Sequence, residues 1–133
     1  MGKIVNFNSQ MYNLLHDKGI TKTILFSIPE SLEKSEGSFV VVELPYSLKP
    51  IDISNYGVYD SYVKFTIFAK DLIRNTASMA DFKKLEQISD SIEDLLPFKG
   101  DGFTIMKSRT IVTPKSTKLH YSYMVVTAPV LFK

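Results

Sequence analysis

Aspartates near the ends of predicted strands are the side chains that could support hydrolytic chemistry in this chain. Asp60, Asp71 and Asp101 hold such positions, and a metal-dependent nuclease places its ligands in similar ones. No other part of a nuclease pattern accompanies them. A nuclease that uses Asp71 and Asp101 with magnesium or manganese is therefore one hypothesis, and absence of cleavage with either ion would reject it.

The two histidines give little support for a metal centre. His16 falls in the last turn of a predicted helix, where a cation suits the helix dipole, and His120 falls in the middle of a predicted strand. A zinc site would need both together with carboxylates, and no motif spacing supports one. The carboxylates of Asp90, Glu93 and Asp94 are typical of a solvated helix face. We expect no metal ion and no cofactor.

Several enzyme classes lack their defining residues here. The chain contains no cysteine, which excludes disulfides, thiolate metal ligands and a cysteine nucleophile. The sequence also lacks a Gly-x-Ser-x-Gly elbow, a phosphate-binding glycine-rich loop and a dinucleotide fingerprint. Gly100 and Gly102 indicate only a turn. We therefore expect no enzymatic activity and no small-molecule substrate.

Basic and aromatic side chains come together on the last two predicted strands and in the loop between them. Aromatic side chains among basic ones can bind single-stranded nucleic acid, although tyrosine in a strand more often reflects β-propensity. A small nucleic-acid-binding module is the alternative function, and Lys115→Glu would then weaken salt-sensitive binding of oligonucleotides. A weaker form of this hypothesis is that the basic side chains face a phosphate backbone that passes nearby and do not recognise its base sequence. The residues are Lys107, Arg109, Lys115, Lys118, Tyr121 and Tyr123.

The composition is that of an ordinary globular domain. The chain has 133 residues, of which 44% are hydrophobic and 23% charged, so we expect one domain over residues 1–133. Its net charge of +2 is too small to indicate nucleic acid by bulk charge. The N-terminus lacks the apolar region of a signal peptide, and no run is long enough to span a membrane. We expect synthesis in the cytoplasm and no membrane partner.

Hydrophobic periodicity predicts two amphipathic helices. The first spans Lys3 to Lys18 and ends at Gly19, which can adopt the left-handed conformation. An alternative start lies near Asn8 or Ser9, either of which could cap the helix. The second spans Asp81 to Leu96, with Ser78 as its N-cap, and ends before Pro97. Its apolar stripe needs an apolar surface to cover, which predicts that it lies on a sheet.

The strand predictions complete the fold. Between and after the helices, Asp71–Ala77 and Thr113–Thr117 read as loops, and Pro129 is expected to break the last strand. The expected fold is a single-domain α+β structure, with a mainly antiparallel sheet and two helices packed on one face, in the order α-β-β-β-α-β-β. The predicted strands are Thr23–Ile28, Phe39–Leu44 (covered on both faces), Tyr62–Lys70, Phe103–Val112 and Lys118–Phe132.

The second face of the sheet is predicted to meet another copy of the chain. The chain has 7 tyrosines and 9 phenylalanines, more than a sheet covered on one face can bury. Tyrosine is enriched at protein interfaces, and open sheet edges also favour contact between subunits. We therefore expect a homo-oligomer, with an interface formed by the alternate residues Tyr62, Lys64, Thr66, Phe68 and Lys70.

The longest irregular segment, Tyr46 to Gly57, is unusually apolar for a loop. Long connections in compact domains are uncommon and often carry function. The apolar side chains either cover one end of the core or contact a partner, and the sequence leaves both readings open. They are Leu48, Ile51, Ile53 and Tyr56.

The order of elements resembles that of the tail terminator, or tail completion, proteins of long-tailed phages and related minor tail proteins of the neck region. The likeness spans nearly the whole chain and is one of architecture, without a diagnostic short motif. It rests on the first helix from Ile4 to Lys18, the apolar strand Phe39–Leu44, the alternating strand Tyr62–Lys70, the helix Phe82–Leu96 and the closing strands Phe103–Val112 and Leu119–Thr127. The long loop Tyr46–Gly57 is a departure from that family.

The resemblance implies a structural role in the virion, at the tail and neck, after assembly in the host cytoplasm. The family forms a hexameric ring that caps the tail tube, stops its polymerisation and joins tail to head, with DNA passing through the lumen. The expected partners are further copies of the chain, the tail tube protein and a head-completion or connector protein, with DNA contacted at most non-specifically. Under this hypothesis Lys107, Arg109, Lys115 and Lys118 face the lumen or the DNA.

Overall fold

The computed structural model describes residues 2–21, 23–29, 37–44, 49–50, 59–74, 77–117 and 120–132. Helix α1 spans Lys3–Asp17, as the periodicity predicts. It ends where Gly19 takes φ 66°. The Ile20 amide then donates to the Leu15 carbonyl over 3.1 Å, which satisfies an otherwise unpaired carbonyl of the last turn.

Two long strands form the centre of the sheet. Strand β4 (Tyr59–Lys70) pairs antiparallel with β10 (Tyr121–Phe132) along its whole length, from Lys70 opposite Tyr121 to Tyr59 opposite Phe132. Among the described residues, eight strands form this sheet, in the order β1-β2-β4-β10-β8-β7, with β3 beside β4 and β9 beside β10. The remaining strands are β1 (Ile24–Leu25), β2 (Phe39–Glu43), β3 (Lys49–Pro50), β7 (Phe98–Lys99), β8 (Phe103–Ile105) and β9 (Thr110–Ser116).

Both helices cover the same face of this sheet. Helix α2 spans Phe82–Leu95, and its buried side chains share one cluster with those of α1 and with alternate residues of β4 and β10. The predicted α+β fold is thereby confirmed. The buried cluster includes Phe7, Met11 and Leu15 from α1, Leu85, Ile88 and Ile92 from α2, Val63, Phe65 and Ile67 from β4, and Val126, Ala128 and Val130 from β10.

Strand β2 is buried on both faces, as predicted, because Val40 and Val42 pack in the cluster under the helices and the alternate residues pack in an aromatic cluster on the other face. Its Phe39, Val40, Val41 and Val42 are all buried. The predicted first strand, Thr23–Ile28, is reduced to β1, which runs parallel to β2. The sheet is therefore mixed at this edge and antiparallel elsewhere.

The predicted strand Phe103–Val112 is wrong as a single element. The structure forms β8 and β9 instead, and the residues Met106 to Arg109 between them oppose only Ala128 and Pro129. Two extra residues therefore interrupt the ladder as a bulge. The alternating apolar pattern continues across the bulge, and it gives no sign of the break.

Pro129 does not end β10, contrary to the prediction. Its carbonyl accepts a hydrogen bond of 2.8 Å from the Met106 amide. The nitrogen and carbonyl of one strand residue face the same neighbour, so the missing N–H of Pro129 points at the bulge, where no ladder bond is lost. The strand can continue to Phe132, which is buried in the core.

The predicted loop Thr113–Thr117 is mostly strand. Lys115 pairs with Tyr123 and Val112 with Val125, so Thr113 and Pro114 share one opposing residue in a second bulge. Proline is tolerated there because the ladder is already interrupted. The turn comes later, and His120 lies in it with φ 61° rather than in mid-strand.

The segment predicted as the loop Asp71–Ala77 forms a small hairpin. Strand β5 (Leu72–Arg74) pairs with β6 (Ala77–Met79) in a separate two-stranded sheet. Ser78 belongs to β6 and does not cap α2. The cap is Asp81, whose side chain accepts a 3.1 Å hydrogen bond from the Lys84 amide. Aspartate is as good an N-cap as serine, which explains the wrong assignment.

Candidate functional site

The centre of the predicted subunit face is already buried within the chain. Thr66 is 4% exposed and Phe68 is 5% exposed. The Phe68 ring stacks on Phe39 with centroids 4.8 Å apart and lies 5.7 Å from the ring of Tyr123. Aromatic side chains of three adjacent strands thus bury one another, so the expectation that this face has no cover within the chain is wrong at its centre.

The ends of that face remain accessible. Tyr62 is 47% exposed and Lys70 is also exposed, whereas Lys64 is half-buried opposite Glu43 on β2. Residues that pair across strands with opposite charges stabilise a sheet from within. The five residues predicted as one interface therefore do not form a continuous open surface.

The basic side chains of the alternative hypothesis lie along one edge of the sheet. Lys107, Arg109 and Lys115 are all exposed, and β9 has β10 on one side and no other strand of the described ranges on the other. Tyr121 is only 2% exposed and Tyr123 is half-buried. Stacking on a base needs an open ring face, and Tyr121 offers none. Lys118 lies outside the described residues, as do Leu48, Ile51, Ile53 and Tyr56 of the predicted partner loop.

The aspartates of the nuclease hypothesis do not come together. Asp71 follows the Lys70 end of β4, whereas Asp101 lies in the turn before Phe103, which pairs with Phe132 at the other end. The 12 residues of β10 separate these ends, which is roughly 35 Å of strand. Among the residues that the structure describes, no three His, Asp or Glu side chains lie close enough to hold a metal ion.

Asp71 has a structural environment instead. Its carboxylate accepts hydrogen bonds of 2.7 Å from the hydroxyls of Ser78 and Ser122, and its amide donates to the His120 carbonyl over 2.8 Å. Asp71 is nearly buried and Ser122 is fully buried. These bonds join the end of β4, the start of β10 and the β5–β6 hairpin. They fix the base of the hairpin to the sheet.

The hairpin that Asp71 anchors carries a concentration of exposed apolar side chains. Ile73 is 60% exposed and Phe82, in the first turn of α2, is 54% exposed. Leu72 and Met79 are directly opposite one another and both exposed. We call the β5–β6 hairpin together with Phe82 the apolar arm. Because successive strand residues point to opposite faces, Leu72 and Met79 share one face of the hairpin and Ile73 lies on the other.

A groove beside α1 has a matching character. Its volume is about 400 Å³. Val5 and Tyr12 of the helix are exposed, and Phe26, just after β1, packs against the core cluster. None of the described residues that line it is charged. We call it the α1 groove, and its lining residues are Val5, Asn8, Ser9, Tyr12, Asn13 and Phe26.

Sequence reasoning missed both surfaces. The signal for the arm was the pair Asn75-Thr76 between Leu72-Ile73 and Met79, since a two-residue polar connection between apolar positions is typical of a hairpin. The helix face formed by Val5, Asn8, Ser9 and Tyr12 lies outside the predicted apolar stripe of α1. Its lack of charge distinguishes it from an ordinary solvated helix face.

Comparison with known proteins adds no assignment. No protein-family model and no curated protein matches this chain. In the parts of the chain that the structure describes, neither helix has the length and hydrophobicity that crossing a bilayer requires.

Proposed function

We propose that the protein is a structural component of a phage virion, a tail terminator that forms a ring at the end of the tail tube and joins tail to head. The apolar arm is the observation that carries the proposal. Its four large exposed side chains are best explained by contact with another protein surface, and a ring-forming subunit needs such a contact. The architectural resemblance supplies the class of assembly.

The energetics support a covered arm. Fully burying a large aliphatic or aromatic side chain contributes about 1.5–3 kcal/mol, and the arm side chains are already about half buried. Covering the rest of each would contribute roughly 1 kcal/mol. A single contact of this size is weak once the entropy of association is subtracted. A closed ring gives every subunit two contacts, which favours ring closure over isolated pairs.

The basic edge of the sheet supports the same proposal as a secondary contact surface for DNA. Lys107, Arg109 and Lys115 are exposed and follow one edge, so they would meet the phosphate backbone of DNA passing through a ring without reading its sequence. The burial of Tyr121 argues against a dedicated single-strand binding module, because stacking platforms require open rings. We therefore keep DNA as a non-specific partner.

The test is whether the protein is part of the tail. Purified phage should contain it, and antibody labelling should place it at the head-proximal end of the tube. A phage that lacks the gene should produce tails of uncontrolled length that do not join heads. Absence of the protein from purified tails and virions, together with normal tails in the deletion strain, would reject the proposal.

A further inference from the structure

We propose that the apolar arm of one copy seats in the α1 groove of a second copy, so that adjacent subunits of the assembly contact one another head to tail. This inference rests on the proposed function, since it names the contact by which the ring would form. The described residues of the two surfaces agree in charge, size and polar character. The arm and the N-terminal half of α1 lie at different ends of β10.

The charge character of the two surfaces matches. The described side chains of β5 and β6 that are exposed are Leu72, Ile73, Ser78 and Met79, and none is charged. The groove is lined by uncharged side chains as well. Contact between these described side chains buries no charged group, and so it avoids the desolvation cost that a charged partner surface would bring to them. A basic or acidic partner would gain nothing from either surface.

The size of the groove suits the arm. A cavity of about 150 Å³ holds one benzene ring. The α1 groove, at about 400 Å³, has room for roughly two large side chains by the same measure. Ile73 and Phe82 are the most exposed side chains of the arm, and Val5, Tyr12 and Phe26 give them an apolar surface to pack on.

The polar residues of the groove suit a two-stranded ribbon in particular. Within the described residues β5 and β6 pair only with each other, so their outer backbone N–H and C=O groups need partners when water is removed. Asn8, Ser9 and Asn13 line the groove. Amide and hydroxyl side chains donate and accept hydrogen bonds, so they can satisfy the backbone edge of a ribbon. A groove lined only by aliphatic side chains could not form hydrogen bonds with that backbone edge.

The arm cannot reach the groove of its own chain. It follows Lys70, which pairs with Tyr121 at one end of β10. The N-terminal half of α1 lies at the other end, because the Phe7 ring is 5.6 Å from that of Phe132. The arm that occupies this groove would therefore belong to another copy of the chain. Two different surfaces in contact make a heterologous interface, which closes into a ring when the rotation between subunits permits.

Two substitutions test the contact without disturbing the fold. Ile73→Asp places a charge on the arm at an exposed position, and Val5→Asp places one in the groove. Val5 is in the first turn of α1, where an acidic side chain favours the helix dipole. Sedimentation at high protein concentration should show oligomers for the wild-type protein and monomers for both variants. Met106→Asp, at an exposed position outside both surfaces, is the matched control and should assemble as the wild type does.

Mixing the two variants separates this contact from a symmetric one. The Val5→Asp protein keeps its arm and the Ile73→Asp protein keeps its groove, so one intact contact can form between them. The mixture should yield a one-to-one heterodimer, although each variant alone stays monomeric. An arm-to-arm contact would leave Val5→Asp able to associate alone, and it would overturn the inference. So would wild-type assembly by Ile73→Asp, or a monomeric wild-type protein at every concentration.

Cross-linking supplies a positional test. The chain has no cysteine, so an Ile73→Cys protein mixed with a Tyr12→Cys protein should form a disulfide-linked dimer under mild oxidation. A Met106→Cys protein in place of the Ile73→Cys protein should not. No cross-link above that control would overturn the inference. If the protein is nevertheless found on purified tails, the proposed function stands with a different interface, so the two failures are distinguishable.

Discussion

Single side chains hold the apolar arm in place, and Ser122 is the most informative of them. Its hydroxyl is fully buried and donates to the Asp71 carboxylate over 2.7 Å. Ser122→Ala should lower the free energy of unfolding by about 1–3 kcal/mol, because a nearly buried carboxylate loses a donor. Urea denaturation followed by circular dichroism measures the change. Ser91→Ala removes a hydroxyl bond on the exposed side of α2 and should cost much less.

Gly100 is a second informative position, because the neighbouring side chains leave no room there for a Cβ atom. A Cβ added there would lie 2.5 Å from Cζ of Phe103 and 2.8 Å from Oε1 of Gln10. Phe103 is buried in the core, and the Gln10 side chain bonds the backbone of Asp101. Gly100→Ala should therefore lower the free energy of unfolding by roughly 1–3 kcal/mol. An unchanged urea midpoint would mean that the turn shifts freely, which these contacts argue against.

At the scale of elements, the start of α2 gives a direct test of the observed cap. Asp81 accepts the Lys84 amide hydrogen bond, so Asp81→Ala should destabilise the protein by about 1 kcal/mol. Asp81→Ser keeps a capping oxygen and should retain most of the stability. The comparison is made by thermal unfolding. Equal melting temperatures for Asp81→Ala and the wild-type protein would show that the cap contributes nothing.

The sequence predicts the regular elements well where one physical signal dominates. The stripe of α2 and the alternation of β4 each have one buried face, and both were predicted to within a few residues of their observed bounds. Phe82 is the exception in the stripe: it was expected to face the sheet, but it is exposed and belongs to the arm. Periodicity identifies an apolar position without identifying the surface that covers it.

The bulges could not be predicted from the sequence pattern. Met106–Arg109 interrupts a ladder without interrupting the alternation, because a bulge of two extra residues leaves the period-two pattern in phase. Proline predicts the end of a strand, but Pro114 lies in a bulge and Pro129 lies opposite one, so neither ends its strand. Both facts depend on pairing between segments, which one sequence does not display.

At the scale of the whole molecule, the interface on the second face of the sheet stays a prediction, but the centre of that face is covered within the chain. The large aromatic side chains on that face were counted as surplus because only one face had helices to cover it. Instead Phe39, Phe68 and Tyr121 bury one another in a second, smaller cluster. Exposed apolar side chains lie on the arm and beside the α1 groove, and others are exposed at Ile28, Tyr62, Met106 and Ile111. A head-to-tail contact between the arm and the groove would leave Tyr62 on the sheet face uncovered.

Side-chain footprinting distinguishes these two arrangements in the assembled state. Tyr12, Met79 and Phe82 belong to the groove and the arm, Tyr62 belongs to the sheet face, and all four are exposed in the single chain. Hydroxyl-radical labelling of wild-type assemblies and of the Ile73→Asp monomer should show that Tyr12, Met79 and Phe82 lose reactivity on assembly. Tyr62 should react equally in both, because the head-to-tail contact does not cover it. If Tyr62 is instead protected on assembly and the labelling of the other three residues is unchanged, the interface lies on the sheet face.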